Sequence, residues 1–253
     1  MMPNDDSSSV LIVAAEASSS LYALRLLQHW KKQNLKISAF GIGSRDMEKE
    51  GFHIVGRSEE LAVVGIQEVF SHFGKIKTAF YGLLDEAKKR KPKVALLLDY
   101  PDFNLRLAKK IKTLGIPVVY YISPQIWAWR TGRVNIIRDR VDRMLVLFPF
   151  EKEFYEKNNV PVDFVGHPLL DELDDSFFDE RERVVHRSRF GLNENDIVLA
   201  LMPGSRRSEL KHHLQTQIAT ARVLRGRHPE LKVALLVAPT FDKEELQAQL
   251  GTL

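Results

Sequence analysis

Val94-Ala95-Leu96-Leu97-Leu98 is apolar at every position and runs straight into an aspartate, Asp99. A strand that is apolar on both faces has to be covered above and below, which is the situation of a central strand in a parallel sheet packed between helices. The rest of the chain repeats this rhythm. Strand-like runs at 10–14, 36–41, 117–122 and 143–147 alternate with helical spacing at 21–30, 46–51, 105–114, 133–140 and 151–158. Between the second and third of the strands read here, Phe70, Phe73, Ile76 and Phe80 recur at helical intervals and lead into residues 83–89. Such β-α alternation predicts an α/β chain built on a doubly wound, Rossmann-like parallel sheet with right-handed connections.

The rhythm breaks in a charged stretch, Asp171-Glu172-Leu173-Asp174-Asp175 followed by Asp179-Glu180-Arg181-Glu182-Arg183. A composition shift of this kind marks a domain edge. The expected organisation is a domain over 10–170, a linker over 171–190 and a second domain over 191–253. In the last of these, strands at 197–202 and 231–237 bracket a helix at 209–225, and a further helix starts at Lys243. Two strands are few for a doubly wound sheet, which usually has five or six, so the second domain reads as incomplete.

Composition removes several classes of function. The chain has no cysteine, which excludes disulfide scaffolds and thiolate chemistry and fits a reducing compartment. No stretch is long and apolar enough for a membrane span, and Met1–Ser9 has no signal-peptide pattern. The net charge of +4 suits anionic partners. The run Lys88–Lys93 reads as a solvated helix end, because cations favour helix C-termini. No metal-ligand spacing is present, since His212 and His213 are sequence neighbours that point apart on a helix. Interleaved basic and aromatic residues of a nucleic-acid binder are absent as well. Gly41-Ile42-Gly43 lacks the third glycine of a dinucleotide fingerprint, Asp46 standing there, and reads as a pair of turn glycines; a nicotinamide cofactor is rejected.

Candidate chemistry gathers where strands end, because ligands of doubly wound sheets collect at the carboxyl edge. The first such turn, Ala15–Ser20, offers Glu16 and Ser18, with Ser18 or Ser19 as helix cap in the plainer reading. Asp99 ends a buried strand, where a carboxylate is costly unless paired or used, and is the preferred general base. Pro101 fixes the turn, Asp102 caps the next helix, and Asn104 lies just beyond. The loop Ser123-Pro124-Gln125-Ile126-Trp127-Ala128-Trp129-Arg130 sets two indoles beside a cation, suited to a sugar face or an acyl chain, or else to anchoring the loop on the core. Gly204-Ser205-Arg206 feeds a helix N-terminus. It is either an anion site, with Arg206 adding bidentate contacts, or an ordinary capped loop.

Taken together, six motifs resemble those of the lipid-A-disaccharide synthases, bacterial glycosyltransferases of the two-domain GT-B type. They are Glu59–Ile66, Asp99–Asn104, Tyr121–Arg130, Phe148–Glu151, Phe164–Pro168 and Pro203–Arg206. The resemblance implies transfer from UDP-2,3-diacylglucosamine to 2,3-diacylglucosamine 1-phosphate, giving lipid A disaccharide and UDP, with no cofactor and no metal. Asp99 would take the proton of the acceptor 6-hydroxyl, and Arg206 would stabilise the departing UDP. It further implies a cytoplasmic protein peripheral on the inner membrane, touching it through Val69, Phe70, Phe73 and Ile76, whose spacing also fits ordinary core packing. A homodimer, or a separate chain completing the second domain, is the implied assembly. Two departures stand out. The family's Gly-Glu-x-Ser-Gly-Asp loop is here Ala15-Glu16-Ala17-Ser18-Ser19-Ser20, and the family continues past residue 253 with most of the donor pocket. On those grounds the expected behaviour is weak or absent turnover by this chain alone, as a binding remnant or a split-enzyme half.

Overall fold

The computed structural model describes residues 8–61, 69–238, 241 and 246, with side chains left out at 61, 69–73 and 172. The chain divides into two compact units, Met1–Leu170 and Asp171–Leu253.

In the first unit, strands and helices alternate as β1 Ser8–Ala14, α1 Ala17–Lys32, β2 Ile37–Gly43, α2 Arg45–Lys49, β3 His53–Arg57, α3 Ser58–Leu61 and α4 Val69–Arg90. They continue as β4 Val94–Leu98, α5 Pro101–Thr113, β5 Val118–Tyr121, α6 Ile126–Trp129, α7 Val134–Arg140, β6 Arg143–Val146, α8 Pro149–Lys157 and β7 Val162–Phe164. The described strands form one parallel sheet in the order β3-β2-β1-β4-β5-β6-β7. This is the doubly wound arrangement, with the direction of winding reversing between β1 and β4.

Successive strand residues point to opposite faces, and the core follows that rule. Leu11, Val13, Ala95 and Leu97 join one apolar cluster, whereas Val10, Ile12, Ala14 and Leu98 join another on the opposite face. Each fully buried valine, leucine or isoleucine there contributes roughly 1.5–3 kcal/mol.

Several local features differ from the sequence reading. The edge strand β3 and the three-residue β7 are too short and too polar to show a period. Gly41 and Gly43 lie inside β2 rather than in a turn. A Cβ on Gly41 would stand 2.0 Å from the Ile12 carbonyl oxygen, and its φ of +143° coincides with a register shift against β3. Close strand approach, not a turn, is why glycine is needed. Helix α5 starts at Pro101, not Leu105, because proline suits the first helical position, where no N–H is required. Asp102 therefore sits in the first turn and pairs with Arg133 at 2.9 Å instead of capping.

Lys89 and Arg90, at the end of α4, pair with Glu86 in exposed ion pairs of small energetic worth. Among the described residues, no helix is long and apolar enough to cross a membrane.

In the second unit a helical turn at Asp175–Phe178 and α9 Glu180–Ser188 precede β8 Val198–Leu201, α10 Arg207–Arg227 and β9 Lys232–Leu235. β8 and β9 pair in parallel, with Val198 opposite Lys232. Leu210, Leu214 and Ile218 of α10 are buried with Leu246. Apart from Leu246, the helix expected from Lys243 lies outside the described residues.

Candidate active site at the carboxyl edge of the sheet

The loops that follow β1 and β4 flank the point where the winding reverses, and they carry Glu16 and Asp99. The chain turns there with two consecutive non-glycine residues in the left-handed region, Asp99 at φ +48° and Tyr100 at φ +46°. Such residues cost about 1–3 kcal/mol each and persist only when their surroundings over-determine them.

The surroundings do so through the Asp99 backbone. Tyr120 Oη donates to the Asp99 carbonyl at 2.6 Å and Asn104 Nδ2 donates to the same oxygen at 2.7 Å. Asn104 Nδ2 also reaches the Leu98 carbonyl at 3.1 Å, and the Asp99 N–H donates to Tyr121 O at 3.1 Å. Tyr120 and Asn104 are both fully buried. Burial, and after it the charge of Asp99, push the Tyr120 phenol well above its ordinary range. It therefore stays protonated and keeps donating. Asn104 thus holds the loop from beneath, while Asp99 itself is half-buried.

Glu16 takes the N-cap position of α1, which the sequence offered to Ser18 or Ser19. Ser19 Oγ instead bonds back, donating to the Glu16 carbonyl at 2.9 Å and accepting from its N–H at 3.0 Å. Ser20 Oγ donates to the Ala14 carbonyl at 2.9 Å, and Ser18 is exposed. Ser19 and Ser20 are therefore tied into the turn itself. Burial, then the charge of Glu16, raise the Tyr100 phenol, so the two switch-point loops feel one another electrostatically.

Further along the edge, Ser123 is buried and bonded to the Tyr155 hydroxyl at 2.7 Å. Trp127 Nε1 donates to Glu151 Oε1 at 3.3 Å, and its ring meets Phe150 edge-on at 4.9 Å. Trp129 is 73% exposed, with the Arg130 guanidinium 4.8 Å from its ring centre. The first tryptophan is thus anchored, and the second stands in solvent as a cation-π pair. Glu151, Tyr120 and Tyr155 carry much of this framework, and sequence reasoning gave them no role. Only Glu151 left a signal: it stands two residues after Pro149, at the start of α8, and accepts from the Leu147 and Phe148 N–H groups, both at 3.2 Å.

Of the four residues expected at a membrane, the Val69, Phe70 and Phe73 side chains lie outside the described residues. Ile76 is half-buried and packs against the core of the first unit.

In the second unit, Gly204 (φ +124°), Ser205 and Arg206 lead into α10 beside a cavity of ≈ 430 Å³ lined by Gly204 and Ser205 together with Met202, Glu209, Leu236 and Val237. Glu209 Oε2 accepts from the Ser205 N–H at 2.8 Å and the Arg206 N–H at 3.1 Å, and Arg206 Nη1 lies 3.3 Å from Glu209 Oε1. The backbone donors hold the Glu209 carboxyl below its usual range. A Cβ on Gly204 would fall 2.5 Å from that of Glu209, so glycine is required while the glutamate is in place. A phosphate arriving here would meet N–H groups that already carry a carboxylate.

The sequence model of the lipid-A-disaccharide synthetase family matches residues 10–252. The chain belongs to that family. The lipid-A-disaccharide synthase of Koribacter versatilis is 45% identical over 242 residues, which are 95% of this chain and 62% of the relative. That of Geobacter sulfurreducens is 42% identical over 250 residues, covering 99% and 64%. The chain therefore spans less than two thirds of the length of these relatives. Among solved structures, UDP-GlcNAc 2-epimerase from Neisseria meningitidis bound to UDP-GlcNAc superposes with a TM-score of 0.61 at 11% identity, covering 96% of this chain and 68% of that one. A glycosyltransferase from Rickettsia africae gives 0.53 at 11% identity, covering 97% and 71%. This family member thus shares its fold, of the GT-B kind, with proteins of very different sequence.

Proposed function

We propose that this chain carries the acceptor side of lipid A disaccharide synthesis, transfer from UDP-2,3-diacylglucosamine to 2,3-diacylglucosamine 1-phosphate with release of UDP. One observation carries the reading: Asp99 stands at the switch point of the parallel sheet on a left-handed loop whose carbonyl is clamped by Tyr120 and Asn104. In this reading the Asp99 carboxylate accepts the proton of the acceptor 6-hydroxyl. The hydroxyl oxygen forms the new bond to the donor's anomeric carbon as the bond to UDP breaks. Base catalysis of this type is worth about 10²–10⁴-fold. Asn104 and Ser123 keep the loops in shape, whereas Glu16, Ser18, Trp127, Trp129 and Arg130 border the acceptor.

In the second unit Arg206, with Gly204 and Ser205, faces the departing diphosphate, a role for preorganised charge. Glu209 must yield its two N–H partners for the backbone to take part. Binding without turnover is the second reading, and acceptor binding is measured separately. The working location is the membrane surface where acylated sugars reside, with Val69, Phe70 and Phe73 as contacts. Assembly is as a homodimer or with a completing chain.

The test pairs two measurements on the purified chain: binding of 2,3-diacylglucosamine 1-phosphate in detergent micelles, and UDP release in the presence of the donor. Acceptor binding is expected, and Asp99→Asn should leave it intact while cutting any UDP release by at least about 100-fold. Lack of acceptor binding, or release that is indifferent to Asp99→Asn, overturns the assignment.

A further inference from the structure

A second cavity, of ≈ 300 Å³, opens beside Glu16 on the other flank of the switch point, where β1, β2 and β3 end. It is lined by Ala17, Ser20, Leu21, Leu24, Ser44, Asp46, Ser58 and Glu59. The polar part of this lining is nearly all acceptor. The Ser20 hydroxyl, on a side chain 4% exposed, spends its proton on the Ala14 carbonyl and keeps its lone pairs. Ser58, 5% exposed, turns its proton toward Glu59 Oε2 at 3.4 Å. Glu59 Oε1 accepts from the Arg45 N–H at 3.1 Å. Burial alone would raise the Glu59 carboxyl, yet N–H donors from its own backbone and from Arg45 hold it below the usual range, so it remains a carboxylate. Asp46 pairs with Lys49 at 2.7 Å. Among the described side chains of this lining, Ser44 keeps a proton to give, because its oxygen accepts from the Met47 N–H.

An acceptor-rich wall favours a ligand rich in donors: the buried Ser20 and Ser58 oxygens and the exposed Glu59 and Asp46 carboxylates all offer lone pairs. Phosphate brings only acceptors and negative charge, and is disfavoured. A bare cation is disfavoured too, because Lys49 already neutralises Asp46 and Arg45 stands at Glu59. What fits is neutral and carries several O–H or N–H groups. Ala17, Leu21 and Leu24 supply an apolar face for the C–H side of a ring. In related doubly wound folds, an acidic residue near the end of the second strand holds a sugar diol in the same way. The volume lies at the small end for ligand pockets, enough for one ring, with acyl chains left outside.

We propose that this cavity is a subsite for a single neutral pyranose ring, its hydroxyl and amide protons received by Glu59, Asp46, Ser20 and Ser58 and its apolar face laid on Leu21 and Leu24. It rests on the acceptor reading above and places that sugar's ring on the β1-β2-β3 side of Glu16.

The test is saturation-transfer NMR on the full chain with N-acetylglucosamine as the probe. Glu59→Gln keeps an oxygen for the Arg45 N–H but removes the charge, and Ala17→Leu fills the mouth while suiting a helix. Each is expected to weaken binding at least tenfold with an unchanged thermal melt, and inorganic phosphate is expected not to displace the sugar. No transfer to the wild-type chain, or transfer that survives Ala17→Leu, overturns the proposal. Transfer lost in Asp99→Asn but kept in Ala17→Leu also overturns it, while leaving the acceptor reading standing. Failure of the reading itself shows separately, as absent binding of the acylated sugar phosphate.

Discussion

The loop after β4 and the loop after β8 are built to one plan, a parallel strand ending in a turn that opens a helix, yet they are held in opposite ways. Asp99 is fixed from below by neutral donors, Tyr120 from the neighbouring strand and Asn104 from the helix it leads into. Ser205 and Arg206 are fixed from above, by a half-buried carboxylate on their own helix. The difference follows from the sheets. A seven-stranded layer places buried side chains beneath a loop, so polar groups there are shielded from water and their geometry is rigid. Among the described residues the pair β8–β9 packs on one small cluster around Leu210, Leu214 and Ile218, and the turn relies on local capping. The same contrast shows in the cores: both faces of the first sheet are packed, whereas Phe190, Phe178 and Met202 of the second unit are 81%, 67% and 68% exposed.

The largest consequence is unequal stability. All three tryptophans, Trp30, Trp127 and Trp129, belong to the first unit, so their fluorescence reports that unit alone, while far-ultraviolet circular dichroism reports both. In urea, ellipticity is expected to begin falling before fluorescence changes. Leu97→Ala should move the fluorescence transition and the later phase of the ellipticity loss together, by about 2–5 kcal/mol, the usual cost of emptying a buried leucine site, and leave the early phase in place. Coincident wild-type curves, or an early phase that shifts with this substitution, would mean that the two units melt as one and break the comparison.

A smaller effect tests how the Asp99 loop is held. Tyr120→Phe removes one of two donors to a carbonyl whose residue is in the left-handed region. Because Asn104 still serves that oxygen, the loss should be about 0.5–1.5 kcal/mol in the fluorescence-detected transition, without change in the dichroism of the second unit. A loss much beyond this would show that Asn104 cannot hold the turn without Tyr120.

How much of this was legible beforehand follows the same divide. The strands Val94–Leu98 and Val10–Ala14 declared themselves because burial on both faces leaves nothing polar in the sequence. Asp99 was legible for a related reason, as a carboxylate with no cheap explanation at the end of such a run. Tyr120 was not, since a tyrosine in an apolar strand looks like any core aromatic until the sheet order sets β5 beside β4. Ser58 was hidden, and Glu59, quoted only as part of the motif Glu59–Ile66, had no place in the fold, for want of β3, an edge strand with no period to reveal it. The rigid clamp and the second cavity both depend on which strands are neighbours, and that is information about pairing, which a single chain read end to end does not contain.

The smallest effect concerns the other loop and sharpens the comparison through pH. Glu209 is ionised in the folded chain with its pKa below the ordinary 4.5, chiefly because the Ser205 and Arg206 N–H groups favour the charged form. A carboxyl depressed by folding stabilises fully above its unfolded pKa, and that contribution fades as pH falls from about 4.5 through the lower folded value. The start of α10 should therefore loosen in this acid range, seen as faster amide exchange at Ser205 and Arg206 than at neutral pH after correction for intrinsic rates. Glu209→Gln should raise exchange at those two amides at neutral pH and flatten its dependence on acid, leaving the Asp99 amide unaffected. Exchange at Ser205 and Arg206 that ignores both the substitution and the acid would mean that something other than Glu209 holds the turn, and the contrast between a buried clamp and a surface cap would fall.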